Sequence, residues 1–128
     1  MLVVPVATVF DRKPGNAGVK RVDLGRDKRD RARGIRDMTA YEGGFLLLAG
    51  PVNDPPKGEP IPKGDYSVYL WDGSSRAATL LADLGGFEPE QKPEALLPLD
   101  RSGSTARALL FFDGPREGAP TPVTFELR

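Results

Sequence analysis

The chain contains no cysteine and no histidine. Without cysteine there are no disulfides, no thiol nucleophile and no thiolate-held cluster, and the redox compartment stays open. Without histidine the commonest general base is missing, as is the usual ligand of zinc, copper and haem. A bound metal would therefore be a hard cation held by oxygen, such as calcium or magnesium. Net charge is also missing, because 18 Lys and Arg balance 18 Asp and Glu. No overall field draws the chain to nucleic acid or to an anionic membrane, and neutrality does little to oppose self-association. No apolar run reaches membrane-spanning length. The opening Met1–Ala7 is apolar but short and has no basic residue before it. It reads as a strand rather than a leader, and the expected location is cytoplasmic.

What is abundant is punctuation. Fifteen glycines and 13 prolines among 128 residues separate short apolar runs, and no run keeps a 3.6-residue period. That pattern predicts an all-β chain of about one domain, with few helices. Nine strands are expected, over Val3–Phe10, Val19–Leu24, Ile35–Tyr41, Phe45–Ala49, Asp65–Asp72, Ala77–Leu84, Leu96–Leu99, Arg107–Asp113 and Val123–Leu127. Asp11–Asn16 reads as a turn, Glu42-Gly43-Gly44 as a tight hairpin turn, and Asp72-Gly73-Ser74-Ser75 as another. Phe45–Ala49 is apolar at every position, so both its faces should be covered. The last strand alternates Val123, Phe125 and Leu127 with polar residues and suits a sheet edge. Residues 51–64 hold five prolines and form the longest interruption, a surface loop. Arg26–Arg33 carries five basic and two acidic residues in eight, a solvated loop or an anion contact. Its mixed signs and lack of aromatics argue against nucleic acid.

The two halves correspond. Phe10-Asp11 matches Trp71-Asp72, Asp23-Leu24-Gly25 matches Asp83-Leu84-Gly85, Ile35–Met38 matches Pro93–Leu96, and Gly50-Pro51 matches Gly114-Pro115, at offsets of 61, 60, 58 and 64. Antiparallel four-stranded repeats of about 40 to 50 residues mark propeller blades, and the proline-rich loop lengthens the unit here. The domain 1–128 thus divides into repeats 3–50 and 65–115 around loop 51–64. Two blades cannot seal their own faces and edges. Phe45–Ala49 and Ala108–Phe112 are expected to need neighbouring copies, as in a ring completed by a homo-oligomer. A monomeric two-layer β-sandwich is the competing architecture.

The runs GIRDMTAYEGGFLLLAGP, YSVYLWDG, KPEALLPL and ALLFFDGP are similar to the carboxy-terminal part of the DUF3616 family. The family consists of bacterial proteins related to β-propellers of the esterase-like phytase kind. The resemblance spans Val19–Arg128 and implies that the chain corresponds to part of a longer protein. In such propellers the first strand of each blade lines a central channel, whose mouth binds ligands. The resemblance points to Arg36, Lys92 and Glu94 as ligand-binding residues, with Asp113 nearby. It places Asp37 and Glu94 on calcium if calcium is bound, and Lys92 and Glu94 in a Lys-x-Glu-Gly pattern. Here Ala95 stands where the family has Gly. Carboxylates suit calcium, and Arg and Lys suit an anionic small molecule such as a phosphate. Two functions follow as expectations. The first is an oligomeric scaffold or ligand-binding module without cofactor, and the second is a calcium-assisted phosphoester hydrolase. No membrane or nucleic-acid partner is expected. Ser74, Ser75 and Ser102 have no imidazole to act as base, and no glycine-rich phosphate loop is present.

Overall fold

The computed structural model describes residues 2–3, 18–53 and 56–127. Most of the expected first strand, the Asp11–Asn16 turn and the Phe10-Asp11 part of the repeat lie outside the described residues. The described chain is all-β. β1 (Leu2–Val3) pairs with β2 (Gly18–Val19). β3 (Arg33–Tyr41), β4 (Gly44–Pro51), β5 (Tyr66–Trp71) and β6 (Thr79–Leu84) form a four-stranded antiparallel meander in chain order. β7 (Lys92–Ser102), β8 (Thr105–Asp113) and β9 (Thr121–Glu126) form a three-stranded one. Among the described residues no helix is long and apolar enough to cross a membrane.

Local chemistry explains the hairpins. Glu42 and Gly43 both have positive φ, 46° and 80°, as a two-residue turn matched to strand twist requires. The Asp72 carboxylate accepts the amides of Ser74 and Ser75, which fixes the turn after β5. Within the described strands proline sits only where a missing amide is tolerated: Pro93 and Pro98 on the edge strand β7, Pro122 on the edge strand β9, and Pro51 at the end of β4. The edge position of β7 lets it run from Lys92 to Ser102, well beyond the expected Leu96–Leu99, because neither proline breaks a ladder on a free side. The expected strand Val19–Leu24 is corrected too. Its ladder stops at Val19, and Asp23 makes only an isolated parallel bridge to Ala77.

The layers follow from the alternation of side chains. Leu46, Leu48, Tyr66, Val68 and Leu84 face one way from the first sheet and meet Leu96, Ala106, Ala108, Leu110, Phe112 and Phe125 of the second. Leu47, Ala49, Tyr69 and Trp71 face the other way and are capped by Leu24, with Val22 and Ala78 alongside. Full coverage of β4 on both faces is therefore achieved within one chain. The expectation that Phe45–Ala49 need neighbouring copies is corrected by this cap. The outer face of the second sheet is covered only in part, where the 116–118 turn lies against Phe111. On its outer side Leu97 and Leu99 are 49% and 53% exposed.

The sheets do not follow the expected bounds 3–50 and 65–115, since β5 and β6 complete the first sheet, but the hairpins β3–β4 and β7–β8 share one feature of register. β3 pairs Ile35 with Ala49 and Asp37 with Leu48, so Arg36 is an extra, bulged residue. β7 pairs Pro93 with Phe112 and Ala95 with Phe111, so Glu94 is extra in the same way. These are the positions matched in the sequence repeat. β3 and β7, the first strands of the two sheets, lie against each other.

Candidate functional site

The seam between β3 and β7 gathers three of the four expected site residues. Arg36 Nη1 lies 3.3 Å from Glu94 Oε1, and Arg36 Nη2 donates to the Pro51 carbonyl at 2.6 Å. Asp37 Oδ2 accepts the Leu96 amide at 2.7 Å, and Oδ1 accepts the Met38 amide at 2.8 Å. The Leu96 bond crosses from one sheet to the other and satisfies an edge-strand amide in a partly buried place, where an unmet donor is costly. Both Asp37 oxygens are thus engaged by backbone, and the Glu94 oxygen nearest Arg36 is neutralised. Among the described residues no group of three or more acidic side chains is placed to hold a metal. This seam would have to add backbone or water oxygens to those of Asp37 and Glu94 to reach the six to eight that calcium takes. Its geometry does what a bridge does, holding two sheets in register.

Lys92 opens β7 one step away, opposite Asp113 in the register. The two line a cleft of about 450 Å³ together with Pro56, Lys57, Glu90 and Gly114. One wall is the proline-rich loop, and the floor is the Glu90–Gly114 contact. A Cβ on Gly114 would stand 2.3 Å from the Glu90 carbonyl oxygen, and its φ is +105°, so glycine is required. Two lysines face two carboxylates here. The cleft therefore suits a ligand carrying both signs or a polar neutral group better than a bare anion. Lys57 and Glu90 escaped the sequence reading because each sits in a proline- and glycine-flanked loop with no pattern of its own. The meeting of the Pro56–Gly58 and Pro89–Glu90 stretches at one cleft is tertiary.

The basic run resolves into a self-contained loop. Burial of Asp27 works to raise its carboxyl pKa. The Arg31 amide, the Arg31 guanidinium and the Arg29 amide outweigh that and hold it below the usual carboxylate range. Arg31 Nε and Asp27 Oδ2 are 2.9 Å apart. Arg29 pairs with Glu59 at 2.5 Å, and Arg26 with Asp30 at 3.6 Å. Arg33 reaches inward, donating to Tyr69 Oη at 2.6 Å and to the carbonyls of Leu24 and Gly64. Burial pushes the Tyr69 phenol up, with Arg33 pulling against it, and its hydroxyl donates to the Leu24 carbonyl at 2.6 Å. Four of the five cations that suggested an anion contact, Arg26, Arg29, Arg31 and Arg33, are bound to protein acceptors, and Arg33 locks the capping segment onto the first sheet.

No protein-family model, curated protein or solved structure matches the chain.

Proposed function

We propose that this chain is a pair of β-propeller-like blades acting as an oligomeric scaffold or ligand-binding module. The supporting observation is the paired bulge. Two up-and-down antiparallel sheets, each entered by a bulged first strand, set those strands side by side through Arg36 and Glu94. The second sheet keeps a partly uncovered outer face, with Leu97 about half in solvent, where a following blade would pack. The ligand-binding role belongs to the Lys92–Asp113 cleft at the end of that sheet.

The binding-module reading is preferred over calcium-assisted phosphoester hydrolysis because the Asp37 and Glu94 oxygens serve backbone amides and Arg36. The test has two arms. Light scattering over a hundredfold concentration range is expected to give a mass above one copy, and a single-copy mass throughout rejects the scaffold. Calcium is expected to leave the melting temperature and the phosphate release from a generic ester unchanged. A calcium-dependent rise in both, abolished by Glu94→Gln, would instead establish the hydrolase.

A further inference from the structure

Along β8 the outward side chains read Arg107, Leu109, Phe111, Asp113: a cation, two apolar groups, an anion. The inward set, Ala106, Ala108, Leu110 and Phe112, is buried against the first sheet. The cross-strand partners on β7 read Asp100, Leu97, Ala95, Lys92, which is the same order with the signs reversed. Arg107 and Asp100 are ion-paired at one end and both are substantially exposed. Leu97 and Leu99 stand about half in solvent beside half-buried Leu109 and Phe111.

From this arrangement we propose that the outer face of the second sheet docks a second copy of the same chain through a two-fold axis, with β8 lying antiparallel on β8 of the other copy. The inference rests on the oligomeric reading above and adds the face, the copy number and the orientation. Charge order supplies the argument. Turning the strip end for end sets Arg107 over Asp113 of the second copy and Asp113 over its Arg107. It also sets Asp100 over Lys92 of the second copy and Lys92 over its Asp100. Leu97, Leu109 and Phe111 meet their counterparts in the middle. Stacking β8 in parallel on β8 would put like charges together at both ends. A strip complementary to itself in one orientation is what a two-fold interface requires, since the same patch serves both sides. The layout places apolar groups at the centre and charges at the rim, as in specific interfaces.

The experiment uses the whole chain and two single charge reversals, Asp113→Arg and Arg107→Glu, with Leu97→Asp as a third variant. All three positions are on the exposed side, and unfolding curves at dilution confirm that each variant folds. Sedimentation is expected to give a two-copy species for the unaltered chain. Each single variant is expected to associate at least about tenfold more weakly: the two charge reversals set like charges together at both ends, and Leu97→Asp buries a carboxylate in the apolar middle. Mixing Asp113→Arg with Arg107→Glu is expected to restore a mixed dimer to near the original affinity, since only the mixed pair sets opposite signs together. A single-copy chain at all concentrations overturns the proposal together with the oligomeric reading and leaves the face to a different partner. Assembly undisturbed by the three variants, a mass of three copies or more, or a mixture that fails to reassociate overturns the proposal alone.

Discussion

Arg36 and Glu94 are the extra residues of two β-bulges, 58 residues apart in the chain, and they meet at 3.3 Å across the seam of two sheets. A bulge re-aims one side chain out of the strict alternation of a strand. Two bulges at matching places let a cation from one edge strand and a carboxylate from another face each other without disturbing either inner face. The pairing joins matching positions of the hairpins β3–β4 and β7–β8, and it gives the seam a direction: the cation belongs to the first sheet and the anion to the second.

The ion pair should contribute modestly, because the Glu94 side chain is 37% exposed and that of Arg36 18%. A double-mutant cycle with Arg36→Met and Glu94→Gln is expected to give a coupling of about 0.5 to 1 kcal/mol, smaller at high salt. Arg36→Met alone should cost more than Glu94→Gln alone, because it also leaves the Pro51 carbonyl without its guanidinium donor. Urea unfolding of the four chains at low and high salt reads this directly. Zero coupling would mean that the ion pair adds nothing to the seam beyond packing and the Asp37–Leu96 bond.

Asp37 should matter more than its neighbour. Asp37→Ala removes the acceptor of the Leu96 amide in a partly buried seam, an expected loss of about 2 kcal/mol for a hydrogen bond to a charged group. Asp37→Asn retains an amide oxygen that can accept the same bond, and should lose about half as much. Hydrogen exchange at the Leu96 amide separates the roles: protection should collapse in the alanine variant and survive in part in the asparagine one.

Most strand positions were legible because apolar runs and Gly/Pro punctuation are local signals, whereas the grouping of strands into sheets was not, since the expected repeats 3–50 and 65–115 part β3 and β4 from the β5 and β6 that complete their sheet. Phe45–Ala49 and Val123–Leu127 are the clearest cases. Two features were hidden for physical reasons. The expected seventh strand, Leu96–Leu99, began only after Pro93, because whether a proline breaks a strand depends on whether that strand is an edge, a fact of tertiary topology. The cap formed by Val22 and Leu24 was read as part of a strand, because an apolar segment lying across a sheet has the same composition as one inside it. Of the expected site residues, Arg36, Asp37 and Glu94 converge while Lys92 lines the neighbouring cleft. The matched repeat positions carried that information, whereas the engagement of Asp37 with the Leu96 amide had no trace in the sequence.

Acid should weaken the turn after β5. The amides of Ser75 and Ser74 hold the Asp72 carboxyl down at about 2, from a model-peptide value of 3.8. A folded-state pKa below the unfolded one stabilises the fold when the group is ionised, and here that contribution is fully present above about pH 4. It is lost as pH falls from 3.8 toward 2. Asp27, also depressed, acts in the same sense. In Asp72→Asn the stability lost between pH 4 and pH 2 should therefore be smaller than in the unaltered chain, as read from thermal unfolding across that window. An identical pH profile for the two chains would show that the turn does not depend on the charge.

Gly34 and Gly50 are cross-strand partners in the β3–β4 ladder, yet their surroundings differ. A Cβ on Gly34 would find only a methyl of Val52, at an ordinary 3.5 Å. A Cβ on Gly50 would stand 2.5 Å and 2.6 Å from two ring carbons of fully buried Tyr66, and 3.3 Å from Cγ of Arg36. Neither glycine has positive φ, so the difference is steric and not conformational. Gly34→Ala should be neutral or slightly stabilising, since it narrows the unfolded ensemble without a clash. Gly50→Ala should cost about 1 to 3 kcal/mol as the Tyr66 ring is forced off its seat in the core. The displaced ring should also crowd Arg36, so the Arg36–Glu94 coupling measured in the Gly50→Ala background should shrink. If Gly50→Ala unfolds at the same denaturant concentration as Gly34→Ala, the close approach of Tyr66 to the β4 backbone is not a feature of the folded chain.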